Sequence, residues 1–232
     1  MVVIFNDYMP IIWNYFMRSD KIGNPIGVAA LMGNLYAESG CTPYACQPSL
    51  PYSTCMTYIA NVDSHAISEY SFVHRGTSST GGVASGQGGF GLAQWTYYSR
   101  KQELYAFWEN TGGSIGSLSM QLDFCYDEMT RKFPTVLSTL QTATDLLSAS
   151  NTVLFDYESP LDQSQAVQEL RYTYSYDIYT QYAGTTPVEP SDPQPSPQDP
   201  PEPEPQDPIQ NFDDINKHMP VWMYPMFHVK QL

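Results

Sequence analysis

Gly33-Asn34-Leu35-Tyr36-Ala37-Glu38-Ser39-Gly40 is the stretch on which the reading of the chain turns: a helical run carries one carboxylate to its end and then breaks at glycine. Upstream, Pro25-Ile26-Gly27-Val28-Ala29-Ala30-Leu31-Met32 places Val28, Leu31, Met32 and Leu35 at helical spacing. That spacing predicts a core-packed helix with Asn24 as its N-cap and Pro25 at its first position. Glu38 rides the last turn. The helix macrodipole is negative there and favours cations, so a glutamate at this end carries a local cost. Set against apolar neighbours, its carboxyl would keep its proton near neutral pH, as a general acid for glycoside cleavage must. A solvated helix-end glutamate without a role is the alternative this stretch alone leaves open.

A second cluster, Gly88-Gly89-Phe90-Gly91-Leu92-Ala93-Gln94-Trp95-Thr96, shifts the balance. With it in view the chain resembles the phage tail lysozyme family and, more remotely, the goose-type lysozymes and soluble lytic transglycosylases. In those families a helix ends in Glu-Ser, and a later Gly-Leu-x-Gln stretch lies beside the sugar cleft. The counterparts here are Glu38-Ser39-Gly40 and Gly91-Leu92-Ala93-Gln94-Trp95. The pattern continues through Arg100, the Leu104/Phe107 helix, Gln121-Leu122-Asp123-Phe124 and Phe155-Asp156-Tyr157-Glu158-Ser159-Pro160, so the resemblance covers residues 8 to 182 in order.

The resemblance implies a mainly α, lysozyme-like α+β domain over residues 1–184, with a small β or loop wall after the catalytic helix. It implies a peptidoglycan glycosidase with Glu38 as the catalytic acid and Ser39, Gly91 and Gln94 on the substrate side; Trp95, in the same run, either stacks on a sugar or fills core. In the related transglycosylases a tyrosine reaches back toward the acid; Tyr157 is the candidate, with Tyr172 and Tyr176 competing. Family members often carry Arg where Ser159 stands, so whatever that Arg does is absent here.

From Gly40 to Gln87 the chain is rich in Ser, Thr, Gly, Tyr and Pro, and only Tyr70-Ser71-Phe72-Val73-His74 alternates, weakly, like a strand. Its charged side chains are Asp63, His65, Glu69, His74 and Arg75. Asp63 and Glu69 are therefore the candidates for a second catalytic group from this wall, beside the hydroxyls of Ser78, Ser79 and Thr80. Gly76 to Gly89 reads as a substrate-ordered loop or lid. The density of glycine at 88–91 lets backbone approach something closely.

Helices are predicted over Asp7–Arg18, Tyr97–Glu109, Ser117–Phe133 and Thr135–Ser150, with a last one after Pro160 running through Tyr182. Asp123, Asp127 and Glu128 read as a solvated side, and Trp13 as core. Cys41, Cys46, Cys55 and Cys125 lack metal-ligand spacing, which leaves buried thiols or one loop-bracing disulfide. No metal and no cofactor is expected.

In 232 residues, 10 Lys+Arg face 24 Asp+Glu, a formal net charge of −14. Nucleic acid as main partner needs a basic footprint and is excluded, as is an anionic membrane surface. Glycan is compatible, since 18 Tyr and 4 Trp supply stacking faces and hydrogen bonds. No signal peptide and no membrane-spanning run is legible. Residues 185–208 read as an acidic, proline-rich linker: Pro187 to Pro208 holds ten prolines and six acidic side chains. Residues 209–232 read as an apolar segment that docks onto a phage tail or other virion protein. The expected location is the virion, with the host cytoplasm until holin-mediated release as the alternative.

Overall fold

The computed structural model describes residues 2–47, 50–76 and 88–184. The helices of these residues are α1 (Tyr8–Met17), α2 (Pro25–Ser39), α3 (Tyr52–Asp63), α4 (Glu69–Val73), α5 (Tyr98–Thr111), α6 (Leu118–Lys132), α7 (Pro134–Gln141), α8 (Leu146–Thr152) and α9 (Gln165–Tyr182). A π-helical turn, Val153–Glu158, follows α8 directly.

The mainly α reading holds, and α2 is its centre. Every residue from Gly27 to Tyr36 is buried, and α2 packs against α1, α7, α8, α9 and the π-turn. A helix apolar on all sides has nowhere else to sit. Its ends follow the sequence reading. Asn24 Oδ1 accepts from the N–H groups of Ile26 (2.9 Å) and Gly27 (3.3 Å), and Gly40 closes the helix at φ 64° with its N–H on Tyr36 O. Gly33 lets α9 come close: a Cβ there would lie 2.6 Å from Ser175 N and 2.8 Å from Ser175 Cα.

The wall after α2 differs from expectation. Among the described residues it contains no strand, only a single antiparallel bridge between Cys46 and Phe90, framed by Gln47 N–H to Gly89 O (2.9 Å) and Gly91 N–H to Ala45 O (2.8 Å). The rest is helical. Cys55, Ile59 and Val62 recur at helical spacing and bury one face of α3. Ser68 caps α4 by accepting from Ser71 N–H at 3.2 Å, so the alternation at Tyr70–His74 is half of a helical period rather than a strand.

Two further boundaries move. The helix expected over Thr135–Ser150 is divided, because Asp145 turns to cap α8 through Ser148 N–H at 2.7 Å. The last helix begins at Gln165 rather than near Pro160. Trp13 is core, stacked on Tyr182 at 5.4 Å, and all four cysteines are buried free thiols. The loop at 77–87, the linker at 185–208 and the segment 209–232 lie outside the described residues.

Candidate active site

Glu38 sits on the last turn of α2 with its side chain 18% exposed. Its partner corrects the expectation of apolar surroundings: the guanidinium of Arg171, from α9, donates Nη2 to Glu38 Oε1. The same guanidinium donates Nη1 to Asn34 Oδ1 at 3.0 Å. Asn34 is itself fixed, its Nδ2 donating to Ala30 O (2.9 Å) and Ser150 O (3.1 Å). One buried polar seam thus aligns α2, α8 and α9 behind the acid.

The glycine-rich loop lies directly beside this end of α2. Ser39 Oγ donates to Leu92 O at 2.7 Å and lies 3.1 Å from Leu35 O. Gly91 adopts φ 72°, and a Cβ there would meet Gln121 Oε1 at 2.5 Å. Gln121 in turn accepts from Leu92 N–H and donates to Pro43 O and Ile115 O. Gln94, at φ 44°, donates Nε2 to Ala45 O (3.0 Å) and Gly91 O (2.9 Å). Glu38-Ser39 and Gly91-Gln94 are therefore brought together. Ser39 is fully buried and ties the loop to the helix, and the Gln94 amide nitrogen holds the loop to the chain just past Glu38.

Two expected substrate contacts are placed elsewhere. Trp95 and Tyr157 are buried, so neither presents a face to a glycan. Both instead donate to Glu128, Trp95 through Nε1 at 3.1 Å and Tyr157 through its hydroxyl at 2.9 Å. Arg100 completes the set with Nε at 2.7 Å and Nη2 at 2.8 Å. Glu128 is thus the reverse of a solvated residue: it is wholly buried. Burial alone would raise its pKa, but the hydrogen bonds and charge of Arg100, with Trp95 and Tyr157, outweigh that and hold it below the usual carboxylate range. No periodicity signals such a residue, because its donors come from three other elements.

Asp63 takes a structural task, accepting Ile115 N–H at 2.8 Å from the end of α3. Glu69 is exposed in the first turn of α4, where the helix dipole favours it. A further carboxyl belongs to Glu158, the last residue of the π-turn, quoted above only as part of a run. Its Oε1 is closed off from solvent and has no hydrogen-bond partner. Burial, and next the charge of Glu38, push its pKa up to about 8 against the pull of Arg100 and Arg171. Arg171 was also missed, although it is the single basic residue in the 18 residues of α9.

Around the loop, buried Lys101 donates Nζ to Arg75 O (2.9 Å) and Gly88 O (3.3 Å); burial, and then the charge of Arg75, lower its pKa to about 7. The tryptophans of the described residues, Trp13, Trp95 and Trp108, are all buried. Among the described residues the exposed rings are mostly tyrosines, with Phe5 and Phe155 beside them, and Tyr97 and Tyr98 are exposed immediately after the loop. No group of three or more His, Cys, Asp or Glu among the described residues is arranged to hold a metal. No helix among them is long and apolar enough to cross a membrane.

A central buried helix that delivers a part-exposed glutamate, pinned to a Gly-Leu-x-Gln loop inside a helical domain, defines a lysozyme-like glycosidase. The chain belongs to the phage tail lysozyme family, which matches it over residues 7–182. No curated protein and no solved structure matches it. Membership carries a lysozyme-like role in peptidoglycan degradation and an association with the virion.

Proposed function

We propose that the chain is a muramidase that cleaves the β-1,4 bond between N-acetylmuramic acid and N-acetylglucosamine. The observation that carries this reading is Glu38: it is the part-exposed carboxylate of a buried helix, backed by Arg171 and flanked by the loop that Ser39 holds in place. Glu38 protonates the leaving glycosidic oxygen, and the cleft stabilises the oxocarbenium-like transition state. Tyr97 and Tyr98 supply exposed rings for sugar stacking. The chain acts from the virion, docked through residues 209–232 to a tail protein, and drills the wall locally; release through a holin from the host cytoplasm is the alternative route.

A second reading is a lytic transglycosylase, in which Glu38 works alone as acid and then as base while the substrate's own 6-hydroxyl closes an anhydro ring. It is favoured by the engagement of Asp63 with Ile115 N–H, which gives one of the two candidate second carboxylates a structural task.

Mass spectrometry of purified peptidoglycan treated with wild type and with Glu38→Gln tests both. Glutamine still accepts from Arg171, so the variant keeps its fold. Reducing muramic-acid ends that disappear in the variant are the expected result. Anhydromuramic ends select the transglycosylase, and release of neither by wild type leaves a tail component that grips glycan without cutting it.

A further inference from the structure

An aromatic row crosses the surface from α4 to the start of α5. The rings of Tyr70 and His74 lie 4.1 Å apart with their planes at 23°. Those of His74 and Tyr98 lie 6.3 Å apart at 15°, and those of Tyr98 and Tyr97 6.1 Å apart at 29°. Tyr70 and His74 stand at i and i+4 and so share one face of the short helix. His74 Nδ1 donates to Tyr70 O at 3.0 Å, which fixes the imidazole. All four residues are exposed, Tyr70 by 72%, Tyr97 by 55% and Tyr98 by 41%.

The core is served from the other side of α4. Phe72, fully buried, meets Tyr105 of α5 at 5.8 Å and Phe90 of the glycine-rich loop at 5.3 Å. That packing mounts the row on the loop whose Leu92 carbonyl accepts from Ser39 Oγ. Tyr97 follows Leu92 by five residues, so the row begins within about 18 Å of that hydrogen bond. Near-parallel rings 6.1 and 6.3 Å apart do not cover each other fully, so part of each face stays open.

Open ring faces with polar edges fit the C–H faces of a sugar, and they fit nucleic-acid bases equally well. The net charge of −14 decides between the two, since a nucleic acid brings phosphates that an acidic chain repels and the sugar backbone of peptidoglycan brings none. Rings already held in place by each other and by the packing beneath lose little freedom when a ligand arrives.

We propose that Tyr70, His74, Tyr98 and Tyr97 form a binding row for the glycan strand, taking up sugars away from the bond that is cut. The proposal rests on peptidoglycan as the substrate and does not require Glu38 to be the acid. A short oligosaccharide fills either the cleft or the row. A longer strand fills both, and its second contact forms at the high effective concentration that the first creates. The row therefore makes affinity depend on strand length.

The test uses the full chain carrying Glu38→Gln, titrated by calorimetry with peptide-free glycan strands of defined length. Affinity should climb with length and then level off. Adding Tyr70→Leu or Tyr98→Leu should weaken the long strands by roughly two- to tenfold each and flatten the climb. Leucine keeps apolar area and loses the flat face, whereas phenylalanine at the same positions keeps the face and should bind like the parent. Thermal melts check that the variants are folded, which the exposure of Tyr70 favours.

Equal affinity of parent and leucine variants for the longest strands overturns the proposal. So does a loss that is the same at every length, which would mean a distorted cleft. Sedimentation tests a rival occupant: a parent dimer that Tyr70→Leu converts to monomer would assign the row to a second copy of the chain. Wild-type cleavage is measured separately. A chain that cuts nothing yet shows the length-dependent loss keeps the row and loses the muramidase reading; one that cuts without that loss keeps the muramidase and loses the row.

Discussion

Arg171 donates to the carboxylate of Glu38 across 133 residues of chain, and with the same fork it holds Asn34 one helical turn earlier. The contact ties the last helix to the central one at its functional end. It also sets the direction in which the acid points, because a planar guanidinium bonds two acceptors only in a fixed arrangement.

Arg171→Met should therefore lower activity more than stability. The side chain keeps its length and apolar stem, but Glu38 loses its charged donor and Asn34 Oδ1 is left unpaired. A charge-assisted hydrogen bond contributes about 1.5–3 kcal/mol, so a loss of roughly 10- to 100-fold in kcat is expected where the bond acts on the reacting group. Arg171→Lys should lie between the two, since it keeps the charge and loses the fork. Kinetics on purified peptidoglycan, paired with thermal melts, check this. Equal kcat in all three proteins would remove Arg171 from the site.

Arg100→Met should act chiefly on stability. Glu128 would stay wholly buried with only Trp95 and Tyr157 as donors. Breaking one side of such a buried pair costs about 3–5 kcal/mol. The loss should be greatest at neutral pH. Glu128 is held below its unfolded pKa by the pair, so the stability that Arg100 confers is present above that unfolded value and fades as pH falls through the folded one. Urea denaturation at acidic and neutral pH would show the difference between variant and wild type shrinking with acid. A constant difference would mean that Arg100 stabilises by packing over the Tyr157 ring, 4.7 Å away, rather than by charge.

How far the sequence could be read follows from which interactions are local. The central helix was legible with both its caps, since Asn24-Pro25 and Gly40 act within one turn of where they stand. The pairing of Glu38-Ser39 with Gly91-Gln94 was legible only through resemblance, because nothing in either run encodes the other. Glu128, Glu158 and Arg171 were illegible as a set. Each lies on a different element, and a charge surrounded by polar and aromatic letters looks the same in sequence whether it meets water or a buried partner. The wall was misread for another reason. Its serines, threonines and tyrosines resemble loop and strand, while Cys55, Ile59 and Val62, the residues that make α3 a helix, are too few to dominate the pattern.

Gly33→Ala separates packing from propensity at the heart of the fold. In a helix interior, alanine normally gains about 0.5–1 kcal/mol over glycine. Here its methyl would press on the Ser175 backbone at 2.6 and 2.8 Å, contacts that no rotamer relieves. Overpacking of this kind costs about 1–3 kcal/mol, so the variant should melt several degrees lower despite its better helix former. Adding Ser175→Gly removes the Oγ but leaves the backbone contact, so rescue should be partial. Arg171 stands one turn before Ser175 on the same helix and accepts the Ser175 hydroxyl on its carbonyl at 2.9 Å, so any shift of α9 away from α2 draws the guanidinium off Glu38. Activity should then fall well below what the lost stability accounts for, measured at a temperature where the variant is fully folded. A Gly33→Ala protein that melts higher than wild type would show that α2 and α9 do not meet as closely as this.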